Sequence, residues 1–172
     1  GVCDADCSLR EGISVAGQGD DISLPAGIYS LTSGSELSIT GDLTLVGAGS
    51  GTTIIQAAPQ PNIAGFRVFN IISGDVDISG VTIQHGYIPN PSTDLSGGGI
   101  RNTGTLTLSN SIIKNNAAMP YGGGLWNGPR YIQGDCSPCQ FGTATLVNSE
   151  VTNNTALTYG GGGGGICNYC GW

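Results

Sequence analysis

Apolar and polar residues alternate in short runs through most of the chain, and similar runs return several times. The segments GDVDISGVTIQHG, GTLTLSNSIIKNN and TATLVNSEVTNN place apolar residues two positions apart, as Leu106 and Leu108 illustrate. Alternation with a period of two predicts short strands with one buried face. Alignment of the segments matches Val76 with Leu106 and Ala144, and Ile83 with Ile113 and Val151. No helical period follows residue 17, so the expected fold class is all-β.

Equivalent strands recur once per repeat, which favours the stacking of like strands on like. Such repeats cannot bury an apolar face alone and are stabilised by their neighbours. The pattern therefore predicts a parallel β-helix, or β-solenoid, as a single domain over residues 1–172. A short capping helix is expected within residues 1–19 and rungs over 20–172, with loop insertions at 86–96 and 128–142.

Asparagine and glycine recur at fixed places in the repeats. Asparagine tolerates the left-handed backbone, and its amide can bond to corners above and below, so stacked repeats predict an asparagine ladder. The predicted ladder is Asn70, Asn102, Asn127 and Asn168, with a shorter one at Asn116 and Asn154. Glycine triplets at 97–99, 122–124 and 163–165 predict a corner at which a Cβ would clash.

The segment CDADCSLREGI at residues 3–13 is crowded with polar side chains. Ser8 and Glu11 have the spacing of a capping box, in which each side chain bonds to the other residue's backbone N–H. Leu9 and Ile13 give the following helix an apolar face that would cover the first rung. A calcium site at Asp4 and Asp6 is less favoured, because calcium prefers six to eight oxygen ligands. A catalytic role for Arg10 and Glu11 is less favoured still.

Composition narrows the classes of partner. Only 10% of residues are charged, and the formal net charge is -7. Nucleic acid and anionic membrane surfaces are not expected as partners, because the chain has no cluster of Lys and Arg. No apolar run reaches the 18 or so residues of a membrane span, so direct membrane insertion is not expected either.

The six cysteines fall in three close pairs: Cys3 and Cys7, Cys136 and Cys139, Cys167 and Cys170. Paired cysteines with scarce lysine favour disulfides and an extracellular or cell-surface location. Cys136, Cys139, Cys167 and Cys170 also have the spacing of a four-thiolate zinc site, which stays the alternative. Asn153 lies in an Asn-x-Thr sequon and is a candidate glycosylation site.

The segments CDADCSLREGI and DDISLPAGIYSLT resemble the N-terminal region of bacterial surface and secreted proteins that share a CSLREA motif. The segment GGGIRNTGTLTLSNSIIKNN resembles their right-handed parallel β-helix repeats and those of polymorphic outer-membrane proteins. Gly12 departs from the alanine usual at that motif position. The resemblance implies a right-handed β-helix displayed outside the cell, but no single activity, because this fold carries enzymes, adhesins and scaffolds.

Three sets of residues are candidates for chemistry or binding. Asp75 and Asp77 share one face beside Asp42 and are the best candidates for acid–base hydrolysis, although no aromatic subsite accompanies them. The single histidine, His85, occupies the position of Asn115 and Asn153 and is expected to be an outward rung residue. A set of outward side chains is a candidate glycan or protein interface; it comprises Phe69, Arg101 and Trp126, with Trp172 near the last cysteine pair.

These observations favour a non-enzymatic extracellular structural protein without a cofactor. No polar cap is evident after Asn168, and solenoids need caps to stay soluble. Either the chain is a fragment of a longer protein, or its open end is covered by another copy. The second alternative leads us to expect self-association end to end into a filament or sheath, with copies of the chain as partners. An adhesin or glycan-binding module, or one that binds another surface protein, is the first alternative. A polysaccharide lyase or hydrolase that uses Asp75 and Asp77 is the second.

Overall fold

The computed structural model describes residues 8–90, 97–119, 121–128, 141–157 and 163–168. Within these residues the chain forms one short helix and 18 strands. The helix is α1 (Leu9–Val15), and the strands are β1 (Asp20–Leu24), β2 (Gly27–Ser30), β3 (Leu37–Ile39), β4 (Leu43–Gly47), β5 (Thr53–Gln56), β6 (Phe69–Ile71), β7 (Asp75–Ser79), β8 (Thr82–Gln84), β9 (Tyr87–Ile88), β10 (Ile100–Asn102), β11 (Thr105–Ser109), β12 (Ile112–Lys114), β13 (Ala117–Ala118), β14 (Leu125–Asn127), β15 (Thr143–Val147), β16 (Glu150–Thr152), β17 (Thr155–Ala156) and β18 (Ile166–Asn168).

The strands form four parallel sheets, and each sheet collects equivalent strands of successive repeats. Sheet A has the order β1-β4-β7-β11-β15, and sheet B has the order β2-β5-β8-β12-β16. Sheet C runs β3-β6-β10-β14-β18, and the smaller sheet D runs β9-β13-β17. Each repeat thus adds one strand to each of sheets A, B and C. The predicted all-β class and the parallel pairing of equivalent strands are confirmed.

The core lies between the sheets and is built from the inward positions of the alternating runs. The register pairs Leu106 with Val76 and Ala144, and Ile113 with Ile83 and Val151, as the repeat alignment predicts. Leu106, Leu108 and Ile113 are fully buried. Apolar burial at these positions supplies the main stabilising free energy of the stack, since each buried aliphatic side chain contributes about 1.5–3 kcal/mol.

Helix α1 forms at the predicted capping box and lies at the first rung. The Ser8 backbone N–H donates to Glu11 Oε2 at 2.7 Å, and the Glu11 backbone N–H donates to Ser8 Oγ at 3.3 Å. Leu9 is buried in the core, and Ile13 packs partly buried against it. The predicted roles of Ser8, Glu11, Leu9 and Ile13 are confirmed. This helix has seven residues, and none in the described part of the chain is long and apolar enough to cross a membrane.

The loop prediction over 86–96 is wrong at its start, because Tyr87–Ile88 forms strand β9 of sheet D. The Gly86 backbone N–H donates to Asn116 Oδ1 at 2.8 Å, and the Tyr87 N–H donates to the Phe66 carbonyl at 2.9 Å. These bonds keep the segment against the repeats. Residues 91–96, and 129–140 of the second predicted insertion, lie outside the described residues.

Candidate functional site

The predicted asparagine ladder exists over three of its four positions. Asn102 Nδ2 donates to Asn127 Oδ1 at 2.7 Å, and Asn127 Nδ2 donates to Asn168 Oδ1 at 3.1 Å. The same amides donate to backbone carbonyls, from Asn102 to Thr143 and from Asn127 to Gly142. Asn102 and Asn127 therefore each join their rung to the next one, and the ladder is structural.

Asn70 does not belong to this ladder, so the prediction for it is wrong. The register pairs Asn70 with Arg101 and places Ile71 opposite Asn102. Phe69, expected to point outward, pairs with Ile100 and is fully buried. The physical reason is size and polarity: the large apolar Phe69 takes the inward position, which shifts Asn70 to the outer face of sheet C.

That outer face carries a buried polar column instead of an exposed interface. Asn70 Nδ2 donates to Glu36 Oε1 at 2.6 Å, and Arg101 Nη1 donates to Asn70 Oδ1 at 3.1 Å. Arg67 Nε lies 3.2 Å from Glu36 Oε2, as an ion pair. Arg101 also lies over the Trp126 ring, 5.3 Å from its centroid, which is a cation–π contact.

The prediction that Arg101 and Trp126 form an exposed interface is therefore wrong. Arg101 is 2% exposed and Trp126 is 5% exposed, so neither offers a surface to a glycan or protein partner. Trp172 lies outside the described residues. Glu36 and Arg67 were missed because they recur in no repeat. Their role is visible only once the strands are in register.

Other corners are held by further ladders. Asn116 Nδ2 donates to Asn154 Oδ1 at 3.0 Å, which confirms the second asparagine pair. The Ser111 backbone N–H donates to Ser149 Oγ at 3.2 Å, in a serine pair that the repeated Asn-Ser dipeptides could have revealed. His85 shares the left-handed backbone of Asn115 and Asn153, as aligned.

His85 is nevertheless buried, contrary to the expectation of an exposed rung residue. Its Nδ1 lies 2.9 Å from the Ala58 carbonyl oxygen. A carbonyl only accepts, so Nδ1 carries the proton of this bond. The segment after β5 thus covers the position that an isolated repeat would expose.

The candidate carboxylates Asp42, Asp75 and Asp77 lie close together, but Asp42 already accepts hydrogen bonds within the fold. Asp42 Oδ1 accepts the Asp75 backbone N–H at 2.9 Å, and Asp42 Oδ2 accepts the Gln18 amide at 3.1 Å. The Asp75 hydrogen bond first, and the Gln18 bond second, lower the pKa of Asp42 below its usual 3.8. Asp75 and Asp77 are exposed on sheet A. A cavity of about 320 Å³ borders Asp42 beside α1 and includes neither of them.

Of the cysteines, only Cys167 falls within the described residues. It forms no disulfide among them and is half-buried opposite Trp126 in the register. Burial raises the pKa of its thiol. The predicted disulfides and the zinc alternative rest otherwise on Cys3, Cys7, Cys136, Cys139 and Cys170, which lie outside the described residues. In the described part, no three His, Cys, Asp or Glu side chains group as metal ligands. Asn153 is exposed.

The strands at one end of the stack form an exposed edge, here called the open edge: β15, β16, β17 and β18. Each is the last strand of its sheet within the described residues. Their inward side chains are less buried than those one rung earlier. Ile166 is 40% exposed, whereas Leu125, its partner in the register, is fully buried. Leu146 is partly exposed, whereas Leu108 is fully buried.

The open edge combines apolar side chains with strand backbone that faces no neighbour in the described structure. Phe141 just before β15 is 53% exposed. Val147 is 44% exposed on the outer face of sheet A, where the equivalent Val46 inside the stack is 42% exposed. Exposed apolar surface of this kind marks contact sites, and unpaired strand backbone is a template for further strands.

Comparison with known proteins gives no further guide to the site. No family model matches the chain. Neither the curated proteins nor the solved structures contain a significant match.

Proposed function

We propose that this chain is a non-enzymatic structural module of the extracellular surface that associates with copies of itself through the open edge. Its architecture in this proposal is a right-handed parallel β-helix capped by α1. The observation that carries the proposal is that polar side chains of the described residues link one rung to the next, as Asn127 does with Asn168 and Asn116 with Asn154.

The β-helix is supported by the order in which the chain visits its sheets. From β7 onward it passes from sheet A to B, D and C and then returns to sheet A at β11. All fourteen strand pairs with an assigned register are parallel and join successive repeats, as β11 does with β7 and β15. A continuous coil is the simplest path with these properties. The right hand is taken from the resemblance to CSLREA-motif proteins.

A structural role is supported by what the polar side chains already do. Asn127 and Asn116 link rungs, and Asp42 accepts two hydrogen bonds inside the fold. His85, the only histidine, is buried against the Ala58 carbonyl. A hydrolase would need a pair of free carboxylates facing one cleft. Asp75 and Asp77 instead lie on the exposed outer face of sheet A.

The glycan-binding alternative loses its main support, because its aromatic side chain Trp126 is buried. Extracellular location rests on the paired cysteines, the low charge and the resemblance. Low charge also suits self-association, since only Glu150 is charged among the strands of the open edge. Like-charge repulsion between copies is therefore weak at this surface.

Static light scattering across a concentration series tests the proposal. The mass of the wild-type chain should rise above 17.3 kDa with concentration. Ile166→Lys adds a charge to the open edge and should hold the mass at the monomer value. Ile63→Lys is the matched control, because Ile63 is 62% exposed and lies outside the edge. Circular dichroism should show both variants folded. A wild-type mass that stays monomeric at every concentration would refute the proposal.

A further inference from the structure

We propose that Asn127 is a site of spontaneous deamidation that the asparagine ladder protects, so that opening of its rung becomes irreversible once the reaction has occurred. Asn127 precedes Gly128, and the two form the only Asn-Gly dipeptide in the sequence. Asparagine before glycine is especially prone to deamidation, because glycine has no side chain to hinder attack by its backbone nitrogen. The proposal concerns the chemistry of one position and does not depend on how copies of the chain associate.

The reaction needs only water as a co-reactant. The backbone nitrogen of Gly128 attacks Cγ of Asn127, the side-chain nitrogen leaves as ammonia with the proton of the Gly128 N–H, and a five-membered succinimide remains. Water then opens the ring at either carbonyl and gives aspartate or isoaspartate. No electrons are transferred. The product is negatively charged at neutral pH, since an aspartate carboxyl has a pKa of about 3.9.

In the folded chain, hydrogen bonds occupy both reacting groups. The Gly128 N–H, whose nitrogen must attack, donates to the Asn102 carbonyl at 3.3 Å. The Asn127 side chain accepts from Asn102 Nδ2 at 2.7 Å, and it donates to the Gly142 carbonyl at 2.8 Å and to Asn168 Oδ1 at 3.1 Å. Attack requires the amide to leave the ladder and the Gly128 N–H to leave the Asn102 carbonyl. The rung must therefore open at this corner before deamidation can proceed.

The ladder, and not exclusion of water, supplies this protection. Asn127 is only half-buried, so solvent reaches its side chain in the folded state. Each printed contact of its amide is a hydrogen bond to a neighbouring rung or to the segment that enters β15. Loss of these bonds should accordingly be enough to expose the amide to attack.

The product cannot rebuild the ladder. A carboxylate only accepts hydrogen bonds, whereas the side chain at position 127 must donate to the Gly142 carbonyl and to Asn168 Oδ1. Rotation of the Asn168 amide would present its Nδ2 instead, but the Gly142 carbonyl has no such alternative. Because Gly142 directly precedes β15, two opposed acceptors at this point separate β15 from the corner. A rung that has opened and deamidated therefore stays open there.

Peptide mapping by mass spectrometry of the full chain tests the proposal, during incubation in mildly alkaline buffer. The folded wild-type chain should deamidate at Asn127 at least about tenfold more slowly than the same chain unfolded in guanidinium chloride, because local opening must precede the reaction. Asn102→Ala removes the Nδ2 donor and keeps the backbone carbonyl that binds the Gly128 N–H. It should accelerate the reaction of the folded chain by roughly 5–30-fold and leave the rate in guanidinium chloride unchanged.

Asn116→Ala is the matched control, because it removes an asparagine of the other ladder in the same repeat. It should leave the rate at Asn127 near the wild-type value, with circular dichroism to show that each variant is folded. Equal acceleration by the two variants would overturn protection by the ladder. A folded wild-type chain that reacts as fast as the unfolded chain would overturn it as well, and this comparison needs no variant.

Asn127→Asp tests the irreversible step, since it installs the product directly. Amide hydrogen exchange of this variant should be faster than that of the wild-type chain at residues 125–127 and 143–147, with residues 75–79 as the internal reference. Exchange equal to that of the wild-type chain in both segments would overturn the irreversible opening.

Discussion

Gly98 is a position at which the packing between sheets leaves no room for a side chain. A Cβ on Gly98 would lie 2.4 Å from the Ala117 carbonyl oxygen and 2.7 Å from the Gly123 oxygen. Both neighbours are backbone, so no side chain can rotate away. Since ordinary contacts begin near 3.4 Å, Gly98→Ala must move the Ala117 carbonyl by roughly 1 Å, and overpacking of this kind costs about 1–3 kcal/mol.

The expected net effect includes the backbone entropy that alanine removes from the unfolded chain. That term stabilises by about 0.4–1 kcal/mol where the native conformation permits alanine. We expect Gly98→Ala to lower the free energy of unfolding by about 1 kcal/mol on balance. For a chain of this length the melting temperature should fall by about 2–4 °C, measured by far-UV circular dichroism.

Gly41→Ala is the matched control. A Cβ there would meet nothing within 4 Å, and the backbone of Gly41 lies outside the left-handed region. The control should melt at or slightly above the wild-type temperature, because only the entropy term operates. A Gly98→Ala chain that melts at or above the wild-type temperature would refute the packing of the glycine triplets against sheet D.

Further predictions concern the ladders, the cap and the buried column. Asn127→Leu leaves the neighbouring ladder amides unmatched and should cost about 1–2 kcal/mol by urea denaturation; an unchanged midpoint would remove the ladder's structural role. The lowered pKa of Asp42 means that its contribution is present above the usual 3.8 and is lost as pH falls through the folded-state pKa. Asp42→Asn should therefore flatten the acid limb of stability against pH, and an unaltered limb would contradict the Asp75 hydrogen bond. Ser8→Ala should cost about 1 kcal/mol in urea through loss of the helix cap; equal stability would contradict the capping box. Trp126→Ala should cost about 3–5 kcal/mol as a buried aromatic, and selective loss of glycan binding with unchanged stability would instead favour the adhesin alternative.

Much of the fold could be predicted because two signals agree along the chain. The alternation of apolar and polar residues identifies the side chains that point into the core, such as Leu106 and Leu108. The repeated asparagines identify the corners between strands. The register follows wherever both signals are present, from β7 to β16. The capping box at Ser8 is equally local, since its partners lie three residues apart.

The errors arise where one signal was used without the other. Asn70 was aligned with the later asparagines by residue type alone. The large apolar Phe69 occupies the inward position beside it and thereby fixes the register there. The burial of Arg101 could not be read from its own repeat, because segments from elsewhere in the chain decide the exposure of an outer face. Glu36, which accepts a hydrogen bond from Asn70, directly precedes β3, and later repeats have no glutamate at that position.

Amide hydrogen exchange at several protein concentrations tests most directly whether the open edge joins copies of this chain. Self-association predicts that exchange slows with concentration in β15, β16 and β18. It predicts no change in β7, whose strand neighbours lie within the same chain, or in α1 at the opposite end. Exchange at residues 143–147, 150–152 and 166–168 that does not depend on concentration would contradict self-association at this edge.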